Sequence, residues 1–177
     1  SNNVIEFKNS IYESYGQGKE KLVLKSKEGS IDLDNQFINL IGNVEGTFNL
    51  NGRNFNLETN DLKGNLVDRT IFSKQSTLFK TEDLEIVASD MKITQTPLVG
   101  IKIQFNNVNL DQINLGSRIN KGKANKIDLI LANDLILMKG NAEFNEDNMK
   151  IISDEIHYDL NQDRVLKSVN SKIINNP

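Results

Sequence analysis

Apolar and polar residues alternate along most of this chain. Ile38, Leu40, Gly42, Val44, Gly46, Phe48 and Leu50 are small or apolar, while Asn39, Asn43, Glu45, Thr47 and Asn49 between them are polar, with Ile41 the exception. A period of two puts each set on its own face of a strand, one buried and one wet. Asn51-Gly52 follows, flanked by Phe48 and Leu50 before it and Phe55 and Leu57 after it. That pattern predicts a tight type I′ hairpin, whose two central residues need positive φ. The same reading predicts strands near 4–12, 21–26, 30–34, 65–72, 76–79, 84–88, 91–94, 101–110, 126–132, 135–144, 149–153, 155–159 and 164–174. Residues 80–83 and 111–123 read as turns or loops. No segment carries a helical apolar stripe, so the class is all-β and antiparallel, with short connections.

The alternating stretch is written twice. LIGNVEGTF (40–48) returns as LMKGNAEF (137–144). With a two-residue insertion, Ile31-Asp32-Leu33 matches Ile127-Asp128-Leu129, Asn35 matches Asn133, and Phe37 matches Leu135. Gly42-Asn43 matches Gly140-Asn141, and Glu45 matches Glu143. Downstream, 60–73 parallels 154–168, and each contains Asp-Arg. Similar units therefore lie near 30–73 and 126–168, and 71–93 reads as a third, worn copy in which VASD echoes IISD. A repeat of strands joined by turns cannot bury its apolar face alone, so stacked units share one interior. Glycine inside a strand marks a bend or bulge. Two equivalent bends fold a sheet over into a V or a roll. The expectation is one domain over 1–177.

Composition narrows the function. Hydrophobic residues make up 37% of the chain and the formal net charge is −3, so no basic face favours a nucleic-acid partner. Cysteine is absent, which excludes disulfides and thiolate metal sites. The most apolar run, 127–138, is broken by Asp128, Asn133 and Asp134 and is too short to span a membrane. The chain opens SNNVIEF, without Met or the apolar core of a signal peptide, and the expectation is that a leader or anchor preceded it. His157 is the sole histidine and alternates with Ile156 and Tyr158 as an ordinary strand residue. DLNQDR (159–164) has acids at EF-hand-like spacing but Arg164 where that loop needs Gly, so it reads as a hairpin turn. The acid pairs of TED (81–83) and NED (145–147) read as solvated turn residues. No nucleophile elbow, Walker loop or zinc-protease motif occurs. The expectation is a protein that is not an enzyme, with no catalytic residues, no metal and no cofactor.

The repeated phrase is an apolar residue, then x-Gly-Asn-(Val/Ala), a turn, an (Ile/Leu)-x-(Ala/Ser)-Asp strand, and a strand ending near Asp-Arg. It resembles the OstA-like superfamily, which includes the periplasmic lipopolysaccharide-transport proteins LptA and LptC. The opening third is more like the soluble domain of LptC. The resemblance implies an antiparallel β-jellyroll folded into an open V, with lipopolysaccharide acyl chains held in its apolar trough. It implies a periplasmic protein, tethered to the inner membrane by an N-terminal anchor if LptC-like. Its partners would be lipopolysaccharide and other Lpt proteins, either the inner-membrane ABC transporter complex or an LptA-type bridge. These would dock through edge strands, as would a head-to-tail oligomer. The trough would be lined by Ile38, Leu40, Val44, Phe48, Leu50, Phe55 and Leu57 in the first half of the chain. Further on it would be lined by Ile86, Ile103, Phe105, Leu129, Ile136, Met138, Phe144 and Ile151. An LptA-like soluble bridge and a fully packed β-repeat scaffold or adhesin that binds no lipid are the alternatives.

Overall fold

The structure, a computed structural model, describes residues 3–15, 21–50, 52–82, 84–96, 100–113 and 119–175. Its strands are β1 (Val4–Tyr15), β2 (Lys21–Asp32), β3 (Phe37–Leu50), β4 (Arg53–Asn65), β5 (Thr70–Ser73), β6 (Thr77–Thr81) and β7 (Leu84–Ala88). They continue as β8 (Asp90–Thr96), β9 (Gly100–Ile113), β10 (Ile119–Ile130), β11 (Leu135–Glu146), β12 (Met149–Asp159), β13 (Arg164–Val169) and β14 (Lys172–Asn175). All belong to one antiparallel sheet in which sequence neighbours are mostly spatial neighbours. In the middle, short strands share one track. β5 and β6 both pair with β4, and β8 and β7 both pair with β9. At the end, β13 and β14 share β12. β1 forms one edge of the sheet and the β13–β14 track the other.

Each long strand switches the parity of its inward residues once. In β4, Phe55, Leu57 and Thr59 are buried, then Leu62 and Gly64. In β12 the series is Ile151 and Ser153, then Ile156 and Tyr158; in β9 it is Ile103 and Phe105, then Val108 and Leu110. The switches line up across the sheet as a crease. Asn9, Asn43, Asn107, Asn141 and Asn170 lie on it, all with φ between 46° and 51°. Asparagine tolerates this left-handed conformation better than most residues. In β3, Gly42 and Asn43 together face Asn60 of β4, and in β11, Gly140 and Asn141 together face Asp154 of β12. Both copies thus carry the same bulge, with Gly42 at φ 84° and Gly140 at φ 77°. Buried hydroxyls attend to backbone groups where the ladder is interrupted. Ser26 Oγ donates to Glu28 O at 3.0 Å, and Ser153 Oγ lies 2.6 Å from Val169 O.

The crease folds the sheet onto itself. Phe144 is in register with Ile151, seven residues before Tyr158 on the same strand. A straight strand, at about 3.3 Å per residue, would hold the two rings about 23 Å apart. Their centroids are 5.2 Å apart. One side of the crease, the upper arm, contains β6, β7 and β14; the other, the lower arm, contains β5, β8 and β13. Lower-arm turns end in left-handed residues Gln36, Arg69, Asp134 and Asp163. Three are nucleated by an Asx residue. Asp32 Oδ1 accepts from Asp34 N and Asn35 N, Asn65 Oδ1 from Val67 N and Asp68 N, and Asp159 Oδ1 from Asn161 N and Gln162 N.

Several expected boundaries change. The breaks expected at 27–29 and 154 are the crease itself, and β2 and β12 run through it. The strand expected over 65–72 is interrupted by the turn at 66–69, which Asn65 starts. The strand expected over 164–174 breaks at 170–171. β6 runs to Thr81, into the expected 80–83 loop. The expected loop at 111–123 contracts from both sides, because β9 reaches Ile113 and β10 starts at Ile119. Lys121↔Asn145 and Lys123↔Glu143 pairing holds polar residues there in the sheet. Gly52 has the positive φ, 79°, that the hairpin needs, and Asn51 lies outside the described residues. Register also removes the two-residue insertion. Gly29↔Leu40 and Ile127↔Met138 make Ile127 the counterpart of Gly29, so Leu129 corresponds to Ile31.

Candidate functional site

Alternation sends one set of side chains into the fold, and there they form a continuous apolar interior. Phe48, Phe55 and Phe79 pack against one another in the upper arm, with centroids 5.0 to 6.0 Å apart. Two aromatic contacts cross from arm to arm. Phe79 meets Phe105 edge-on at 5.5 Å, and Phe144 meets Tyr158. Such pairs add to the burial of their own area.

The second crossing has no equivalent in the first copy. Counting outward from the shared bulge, Gly46 stands where β11 has Phe144, and Gly64 stands where β12 has Tyr158. A Cβ at Gly46 would lie 2.7 Å from Leu57 Cγ, and one at Gly64 would lie 2.7 Å from Ile38 Cγ2. Each glycine's space is thus taken by an aliphatic side chain of its own arm. The Tyr158 hydroxyl donates to the Asp163 carboxylate in the turn below it. The matching turn residue in the first copy is Arg69, with φ 53° against 52° for Asp163.

Between the arms, on this untied side, lies a cleft of about 220 Å³. Its upper wall is Tyr12, Ser14, Tyr15, Lys21, Leu22 and Phe48; its lower wall is Asn65, Leu66, Arg69, Thr70, Ile71, Ile93, Gln95 and Ile101. Of the apolar side chains, Phe48 and Ile93 are buried, Tyr15 is exposed and the others are half-buried. Among the described residues that line it, Lys21 and Arg69 are the charged ones. Lys21 is engaged: Glu13 Oε1 is 3.5 Å from its Nζ, which also lies over the Tyr15 ring. Glu13 first, then Tyr15, raise the Lys21 ammonium above its ordinary pKa.

Of the expected lining residues, Phe48 borders this cleft. Ile38, Leu40, Val44, Phe55, Leu57, Ile86, Ile103, Phe105, Leu129, Ile136, Met138, Phe144 and Ile151 are buried in the interior. The side chain of Leu50 lies outside those described. Sequence reasoning missed the half-buried set of Tyr12, Leu22, Leu66, Ile71 and Ile101. These come from the sheet's early strands and from turn ends, where alternation identifies a face but not whether that face is covered. His157 Nε2 lies 3.0 Å from Glu155 Oε1 on the strand, and among the described residues no group of His, Cys, Asp or Glu is placed to hold a metal ion. Asp147 lies in a turn and Glu146 ends β11, and Asp83 lies outside the described residues.

Residues 25–164 match the family model described as the LptA/(LptD N-terminal domain) LPS transport protein. No curated protein matches the chain. Among solved structures, the chain is similar to LptH from Pseudomonas aeruginosa, the LptA-homologous periplasmic component of a lipopolysaccharide transport device. The TM-score is 0.51 at 9% identity, covering 88% of this chain and 95% of that one. That likeness establishes the β-jellyroll fold. The family match covers most of the chain, and on it the chain belongs to the LptA/LptD N-terminal domain family of lipopolysaccharide transport proteins, which are carriers and not enzymes.

Proposed function

We propose that the protein is a periplasmic lipopolysaccharide carrier of the LptA bridge type, holding acyl chains between its two arms and passing them on without chemistry. The observation that carries this reading is the apolar cleft, open at its rim, on the side where no aromatic pair ties the arms together. Each methylene moved from water into such a cleft gains about 0.8 kcal/mol, so binding needs no catalytic group. A cleft of about 220 Å³ receives only part of one chain. Loading several chains therefore requires the arms to part, and the glycines Gly46 and Gly64 leave that side free to do so. The expected interior residues, from Ile38 and Leu40 to Met138 and Ile151, line the trough in this opened state. The matched family and LptH are both of the LptA type, which favours the soluble bridge over an anchored LptC-like role.

The sheet edges supply the docking surfaces in this reading. β1 exposes Ile5 (52%) and Ile11 (60%), and β14 exposes Ile173 (62%). Unpaired apolar edge strands add a partner's strand readily. Copies or partner jellyrolls would join head to tail and make the trough continuous. Photo-crosslinking in a Gram-negative envelope tests the proposal, with probes at Ile71 in the cleft and Lys63 on the outer face. Lipopolysaccharide adducts at Ile71 and not at Lys63 are expected. Equal labelling at both, or none at either with the protein folded, would overturn it in favour of a packed scaffold.

A further inference from the structure

We propose that Arg69 is the anchor for an anionic group of the bound amphiphile, held at the mouth of the cleft by the strained turn that ends β4. The inference rests on the reading of the cleft as a lipid site and adds the residue that orients the ligand in it.

Five observations carry it. The chain as a whole is acidic, with net charge −3, yet among the described residues the cleft lining holds two cations and no carboxylate. Of the two, Lys21 is already paired with Glu13. The Arg69 guanidinium has no hydrogen-bond or ion-pair partner among the described residues. Neighbouring Asp68 lines a groove on the outer face instead. Finally, the turn position itself is specialised. In the second copy it carries Asp163, which receives the Tyr158 hydroxyl and completes the closed side. In the first copy the residue facing the turn is Gly64, which offers no partner, and the turn position is a cation.

The turn is well fixed. Asn65 Oδ1 accepts from Val67 N and Asp68 N, and Arg69 O accepts from Gln95 N at 3.3 Å. The anchor therefore sits on rigid backbone beside an apolar floor of Leu66, Ile71 and Ile101. A guanidinium presents a planar fork that matches a phosphate or carboxylate with two parallel hydrogen bonds. The ligand this geometry fits is an amphiphile whose acid group lies at the cleft mouth with its chain inward, whether the acid is a phosphate or a carboxylate.

The test compares lauryl phosphate and laurate with lauryl maltoside as a neutral partner, all below micelle formation, by calorimetric titration of the whole chain. The wild type is expected to bind the two anions more tightly than the neutral probe. Arg69→Gln should weaken the anions about tenfold, leave the neutral probe unchanged and flatten the salt dependence. Arg69→Lys should restore part of the loss. Unequal losses for phosphate and carboxylate would identify which acid the fork prefers, with either loss supporting the anchor. Equal affinity for charged and neutral probes, or an Arg69→Gln loss shared by the neutral probe, overturns the anchor while leaving the lipid cleft intact. Failure of all three probes to bind the wild type overturns the cleft reading and the anchor with it. Because Arg69 is exposed, the variants should unfold at the wild-type urea midpoint, so a binding loss reports on the ligand.

Discussion

The two copies of the repeat share a backbone and differ in what joins their arms. Both crease at Gly-Asn, both place a buried hydroxyl (Thr59 or Ser153) beside the bulge, and both end the following strand in an Asx-started turn. In the second copy, Phe144 and Tyr158 close the space between the arms. In the first copy both positions are glycine, and a cleft opens beside them. The outer faces differ as well. Glu143 sits between Lys150 at 2.7 Å and Lys123 at 3.3 Å, whereas its counterpart Glu45 is in register with Glu58. Duplication supplies a frame, and substitution at a few inward positions decides which half is structural and which is open to a ligand.

The strongest attack on this comparison is Phe144→Ala. Truncating a buried aromatic ring costs about 3–5 kcal/mol, and the loss should appear as a lower urea midpoint with an unchanged slope. A loss below about 1 kcal/mol would mean that the crossing pair does not hold the second copy shut.

Next come Gly42→Ala and Gly140→Ala. Each puts a Cβ on a residue held at positive φ, with Lys27 Cβ 3.3 Å away in the first case and Asn125 Nδ2 2.9 Å away in the second. A cost of about 1–2 kcal/mol is expected for each. Matched losses would sharpen the claim of one bulge used twice, and a neutral Gly42→Ala would break it.

Tyr158→Phe keeps the ring contact and removes only the bond to Asp163. It should cost about 1 kcal/mol in thermal or urea unfolding, and cost nothing if the ring alone closes the copy.

The smallest effect concerns Glu143. A hydrogen bond from Lys150, followed by one from Lys123, holds its carboxyl below the ordinary value of 4.5. A depressed folded-state pKa contributes stability above the unfolded value, and that contribution fades as pH falls through the folded one. Glu143→Gln should therefore lower stability near pH 7 by less than about 1 kcal/mol. The gap to wild type should close as pH falls below about 4. A constant gap across that range would show that the two lysines do not hold the carboxylate.

Much of this was legible in the chain. Period-two alternation identified the strands and their inward faces, because a strand's side chains can point only two ways. The repeated Gly-Asn located both bends. Two things misled. The crease flips parity within one continuous strand, so 21–32 and 149–159 each read as two strands. The length difference between copies was also placed upstream of Gly-Asn, where the residues Ile-Asp-Leu happen to recur. Register puts it in the hairpin instead, where the pairs Asn49↔Asn54 and Leu50↔Arg53 extend the first copy beyond Phe48↔Phe55, the level at which the second turns at Glu146 and Met149. The repeated Asp-Arg was a coincidence of the same kind, since Arg69 aligns with Asp163 and not with Arg164.

The sequence alone determined that this is an antiparallel all-β chain with two bent, related halves and no catalytic or metal motif. Those features are local: they depend on alternation, on turn chemistry and on residues that accept positive φ. Only the tertiary structure decided where the cleft lies. That depends on which side chains meet across the crease, between residues that are register neighbours of neither, and on what a glycine pair leaves unjoined. Alternation along a strand reports a side chain's direction and contains no record of what stands opposite once the sheet has folded over.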